Sequence, residues 1–100
     1  MIRAAVLALL LVGTAHATPE HSEADCQFLG NVAVLGYQLA LRGEFPDTAL
    51  AAFKEEFPDA DQAWLDTIKR YLRLGAFSPA NMGAQTVGRV AYSLCMAPDA

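Results

Sequence analysis

Cys26-Gln27-Phe28-Leu29-Gly30-Asn31-Val32-Ala33-Val34-Leu35-Gly36-Tyr37-Gln38-Leu39-Ala40-Leu41 is a run of sixteen residues without a single charge. Its polar members, Gln27, Asn31 and Gln38, form only a narrow stripe when wound at 3.6 residues per turn. A helix this apolar is surrounded by protein on most sides. It is too short and too polar, with two glutamines and an asparagine, to cross a bilayer. Just before it, Ser22-Glu23-Ala24-Asp25 has the hydroxyl-then-acid spacing of a helix N-cap. Just after it, Arg42-Gly43 supplies the glycine that commonly ends a helix. The sequence therefore predicts a first helix from about Glu23 to Arg42.

Three more helical segments come after it, and no strand is predicted. Phe45-Pro46-Asp47 and Phe57-Pro58-Asp59 are matched helix breakers, each proline ending the segment before it and each aspartate able to cap the next one. Their similarity stops at three residues, so they read as two corners and not as a repeat. Between them a second helix spans about Thr48 to Phe57, with Leu50, Phe53 and Phe57 on one side. Asp59 to Gln62 reads as a capping box for a third helix, in which Trp64/Leu65, Ile68, Tyr71/Leu72 and Gly75 share a face opposite Asp66, Lys69, Arg70 and Arg73. Ser78-Pro79 is read as the N-cap and first residue of a fourth helix ending near Met96.

The chain opens with Met1-Ile2-Arg3, an apolar run from Ala4 to Val12, and Ala15-His16-Ala17 before Thr18-Pro19. A basic residue, a short apolar core and small residues at −3 and −1 are the parts of a cleavable secretory signal peptide, residues 1–17. The expected destination is the periplasm or the exterior, with no stable membrane anchor. Cutting after Ala17 leaves 83 residues, 18–100, room for a single domain with a small core. A chain of that size is marginal unless stapled. Cys26 and Cys95 are its two cysteines, and an oxidising compartment favours their pairing. Closing 69 residues of chain is worth about 4 kcal/mol on the chain-entropy model. The pairing makes the first and fourth helices antiparallel neighbours. Gly30 and Ala33 on one and Ala84, Gly88 and Ala91 on the other would let their backbones approach. Phe28, Val32, Leu35 and Leu39, with Val87, Val90 and Leu94, are left to meet the second and third helices. The fold class expected is all-α, a compact bundle of about four helices closed by one disulfide.

After processing, six Lys/Arg face eleven Asp/Glu, a net charge of −5, which disfavours a nucleic-acid partner. Seven acids fall between Glu44 and Asp66 against one base, Lys54. Glu44, Asp47, Glu55, Glu56, Asp59 and Asp61, with Trp64, are the candidate partner-binding residues. An acidic surface steers a basic protein; the plainer alternative is a solvated face. Trp64 is either an interface anchor or the largest piece of the core. A homodimer is a further option. A small apolar ligand held among Phe28, Phe53, Phe57 and Trp64 is the rival reading.

Catalysis finds little footing. His21 is the one histidine after processing and precedes the first helix. The adjacent carboxylates Glu55-Glu56 and Asp59-Asp61 have no apolar pocket predicted around them. EF-hand spacing, a phosphate-binding glycine loop and a CxxC pair are all lacking, and two thiols with one histidine make a poor metal site. Neither a catalytic residue, a metal nor a cofactor is therefore expected. Gly83 and Gly88 are read as helix-packing residues, and Arg42 and Arg89 as exposed or paired.

The leader, a cysteine early in an apolar first helix, Arg42-Gly43 at its end and Tyr92-Ser93-Leu94-Cys95 closing the last helix together resemble small two-cysteine periplasmic proteins of proteobacteria. They also resemble the helical, disulfide-closed periplasmic immunity proteins that neutralise peptidoglycan amidases delivered by type VI secretion. That resemblance implies an inhibitory binding role and lends no catalytic residue.

Overall fold

The computed structural model describes residues 21–97, so the leader and its predicted cleavage point lie outside the described residues. Four α-helices succeed one another: α1 (Glu23–Leu41), α2 (Pro46–Glu56), α3 (Gln62–Ala76) and α4 (Ala84–Met96), with a 3-10 turn at Ala80–Met82 before the last. No strand occurs among the described residues. None of these helices is long and apolar enough to cross a membrane.

Helix α1, uncharged from Cys26 onward, is the central element, packed against both α3 and α4, while α2 lies mainly on α3. It starts as its sequence predicts, with the Ser22 hydroxyl accepting the Asp25 N–H at 3.1 Å. It ends in a full Schellman motif. The Glu44 N–H reaches the Leu39 carbonyl, the Gly43 N–H reaches the Ala40 carbonyl, and Gly43 supplies φ +76°. Cys26, Leu29 and Val32 of α1 join Ile68 and Leu72 of α3 and Cys95 of α4 in one buried cluster. Ala33 and Tyr37 form a second with Val87 and Ala91.

Cys26 and Cys95 are bonded, with Cα atoms 5.5 Å apart, so α1 and α4 are antiparallel neighbours as expected. Glycines set how closely the helices meet. A Cβ on Gly30 would stand 3.0 Å from the Gly88 carbonyl oxygen across the α1–α4 seam. The α1–α3 seam is tighter: a Cβ on Gly75 would lie 1.7 Å from the Ala33 oxygen, and one on Gly36 only 2.1 Å from the Leu72 oxygen. Backbone touches backbone there, a contact that only glycine allows.

Four expectations need correction. Helix α2 begins at Pro46, not Thr48, because proline's fixed φ suits the first helical position; Asp47 then sits inside the first turn and caps nothing. The N-cap of α3 is Asp61, whose carboxylate accepts the Trp64 N–H at 2.8 Å, whereas Asp59 lies in the turn closed by the Ala60 N–H on the Phe57 carbonyl. Ser78-Pro79 opens only the 3-10 turn; Gly83, at φ +89°, breaks the chain and caps α4, so it is a hinge of the backbone and not a packing residue. Finally, Val90 and Leu94 do not reach the other helices. They face outward, 41% and 46% exposed, because the face of α4 used for packing is the Val87–Ala91–Cys95 side.

The break between α3 and α4 is held by one side chain. The Tyr37 hydroxyl donates to the Ala80 carbonyl and accepts the Gly83 N–H at 3.1 Å, which satisfies two backbone groups of the connection from the centre of the fold.

Candidate functional site

The end of the molecule away from the disulfide gathers the least buried large side chains. Residue 45 precedes a proline and is confined to extended backbone, φ −83° and ψ 137°, so it serves as the N-cap of α2 and turns its ring outward. Phe77 is the C-cap of α3, its N–H bonded to the Arg73 carbonyl at 2.9 Å and its ring free of the core. Phe45 is 79% and Phe77 83% exposed. Between them Arg73 Nη2 stands 3.7 Å from Asp47 Oδ2. Each charge sits where its own helix favours it, Asp47 in the first turn of α2 and Arg73 in the last turn of α3. Phe45, Pro46, Asp47, Thr48, Arg73 and Phe77 line an open pocket of about 500 Å³.

This pocket combines two exposed aromatic rings with an exposed ion pair. Burying a phenylalanine is worth about 2–3 kcal/mol, which places each ring in the range of an interface hot spot. The ion pair is solvent-exposed and contributes little to stability.

The predicted acidic surface is exposed but divided. Glu44 pairs with Arg42 (Oε2 to Nε, 3.0 Å) and Asp47 with Arg73, both at the N-terminal end of α2. Glu55 and Glu56 lie at its C-terminal end, about 12–14 Å along the helix from Asp47, and Asp59 comes next in the turn. Asp61 is engaged in capping, and Asp66 accepts from the Gln62 side-chain amide at 2.8 Å. One continuous negative face from Glu44 to Asp66 is thus not what forms. Glu56, Asp59 and Trp64 do come together, around a shallow pocket of about 320 Å³ that also includes Phe57 and Pro58.

Trp64 itself is half-buried against the main core cluster. It stacks on Phe28 at 5.9 Å and 25°, and His21 meets its ring edge-on at 5.4 Å. Phe28 also meets Phe53 and Phe57 edge-to-face at 5.9 and 6.3 Å, so the four rings of the apolar-ligand reading pack largely on one another.

Among the described residues no group of three or more His, Cys, Asp or Glu could hold a metal ion. Both cysteines are consumed by the disulfide. The titratable side chain that stands out is Tyr92, whose pKa is raised by burial and then by the neighbouring Glu23 carboxylate, to which its hydroxyl donates a hydrogen bond. It lies at the disulfide end, away from the exposed phenylalanines.

Phe45 and Phe77 carry no periodic or motif signal that marks them as functional in the sequence. A weaker signal is present: each is a large apolar residue placed beside Pro46 or Ser78-Pro79, in a corner where no helical face is available to cover it. No family model, curated protein or solved structure matches this chain.

Proposed function

We propose that this is an exported, periplasmic protein that acts by binding another protein, in the manner of an inhibitor or immunity protein, through the end marked by Phe45 and Phe77. The observation that carries the reading is the pair of phenylalanines, each about four-fifths exposed, flanking the Arg73–Asp47 ion pair. A marginal domain keeps such rings in water when a partner covers them. The acids Glu55, Glu56 and Asp59 serve association: a basic partner is steered toward them and then docks at the rings. Export agrees with the leader, with the structural disulfide and with the lack of a membrane-crossing helix among the described residues.

The test compares three baits in a periplasmic extract of the host: wild type, Phe45→Ser/Phe77→Ser, and Glu55→Gln/Glu56→Gln/Asp59→Asn. The wild type should enrich a defined protein and the double serine variant should lose it. The acid variant should retain it but bind more slowly, with a flatter salt dependence. Equal recovery by wild type and the serine variant refutes the assignment of this end. Unchanged association kinetics in the acid variant assigns those acids to solubility.

A further inference from the structure

The apolar surface at the end of the molecule that carries Phe45 and Phe77 is wider than those two rings. The Gly75 backbone, near the end of α3, packs against the Ala33 carbonyl and the Tyr37 nitrogen of α1, so the two helices finish at the same end. Leu41, one turn beyond Tyr37, closes α1 there and is 56% exposed. Together with the two rings it offers about 400 Å² of apolar surface. A stable interface takes roughly 800 Å² from each partner, so these three side chains supply about half of one.

Charge at this end is balanced, unlike the rest of the chain. Residues 41–48 and 73–83, the corners around the rings, contain two bases, Arg42 and Arg73, and two acids, Glu44 and Asp47. The net charge of −5 on the processed chain is therefore carried wholly by other residues. Two copies of the chain meet least repulsion here. One of the two ion pairs is also loose. Arg73 Nη2 stands 3.7 Å from Asp47 Oδ2, outside hydrogen-bond reach, and neither side chain has a hydrogen bond to another described residue. A guanidinium fork bonds a carboxylate best through two parallel hydrogen bonds, which this pair does not make within one copy.

From this arrangement we infer that, when no other partner is engaged, two copies of this chain pair end to end about a two-fold axis. Leu41, Phe45 and Phe77 cover one another across the contact, and Asp47 of each copy bonds Arg73 of the other. A two-fold contact is self-complementary, because each copy receives what it gives. An acid beside a base meets that condition; the acids Glu55, Glu56 and Asp59 do not. The inference rests on the reading that this end is where the protein binds, and adds how it is kept covered. A foreign protein docks there by displacing the second copy.

The experiment is sedimentation velocity on the oxidised protein recovered from the periplasm of a bacterial host. A reversible dimer forming at about 10–100 µM is expected, and Phe45→Ser/Phe77→Ser should stay monomeric. Two charge reversals test the crossed pairs. Asp47→Arg leaves two bases at these positions and Arg73→Glu two acids, so each variant alone should dimerise about tenfold or more weakly than wild type. Mixed in equal amounts they should dimerise again, because each acid then meets a base across the axis. All the substituted side chains are exposed, so circular dichroism should show every variant folded. A wild type monomeric to about 500 µM, a serine variant that still dimerises, or a mixture that stays monomeric overturns the inference. A dimer lost in the serine variant, with capture from the extract unaffected, supports self-pairing and refutes the docking reading. Capture through the rings by a strictly monomeric wild type does the reverse.

Discussion

Replacing Gly75 by alanine should lower stability, although intrinsic propensity argues the other way. In a helix interior alanine is favoured over glycine by about 1 kcal/mol, and less in the last turn, where Gly75 lies. The new Cβ would stand 1.7 Å from the Ala33 carbonyl oxygen and 2.9 Å from the Tyr37 nitrogen, both backbone atoms that no rotamer change can move. Relief to ordinary contact separates α1 from α3 by about 1.5–2 Å. Ile68 and Leu72 would then lose close contact with Leu29 and Val32, because interiors are packed without slack. Overpacking of this kind costs about 2–4 kcal/mol, which outweighs the propensity gain and leaves a net loss of about 2–3 kcal/mol. In a domain this small, thermal unfolding monitored by circular dichroism should show the midpoint falling by about 10–20 °C. Gly88→Ala is the internal control: its nearest neighbour is a side-chain methyl, Val34 Cγ2 at 3.0 Å, so it should stay within about 1 kcal/mol of wild type. A Gly75→Ala variant as stable as wild type would refute the claim that backbone contact sets the α1–α3 spacing.

Cys95→Ser should reduce stability by about 2–5 kcal/mol in urea titrations, and a double serine variant melting within a degree or two of wild type would overturn the staple argument. Ultraviolet titration should find Tyr92 ionising above the ordinary tyrosine range, and Glu23→Gln should lower that midpoint. Because its folded pKa is raised, the Tyr92 contribution to stability is complete below about pH 10 and is lost as the pH rises through the folded value; alkaline melts that improve with pH would contradict this. Protein recovered from the periplasm of a bacterial host should begin at Thr18 by mass spectrometry, and an intact Met1 there would refute the leader reading.

Elements with strong periodicity or covalent logic are legible in the residues alone. The uncharged run Cys26–Leu41 implies a central helix, and the cysteine pair implies which helices are neighbours. Local competition at the corners is not legible. Asp47, Asp59 and Asp61 are chemically equivalent caps, and which of them serves depends on where Pro46 and Pro58 place the chain. Gly36 is invisible because its role exists only against the Leu72 carbonyl of another helix. Val90 and Leu94 look like core residues by type, but one helix has a single packing face here and Val87, Ala91 and Cys95 occupy it. The acidic stretch does lie on the surface, yet its charges cannot be apportioned without the folded positions of Arg42 and Arg73.

The Cys26–Cys95 bond also has a mechanical meaning. It joins the start of α1 to the last turn of α4, so all the helical cores and both exposed phenylalanines lie inside one covalent ring. Tension applied between residues preceding Cys26 and residues beyond Cys95 runs through the sulfur bridge and bypasses the fold. A single protease cut in the Phe45 or Phe77 corner opens the ring without releasing a fragment, so the two pieces stay tethered and can close again on the same core.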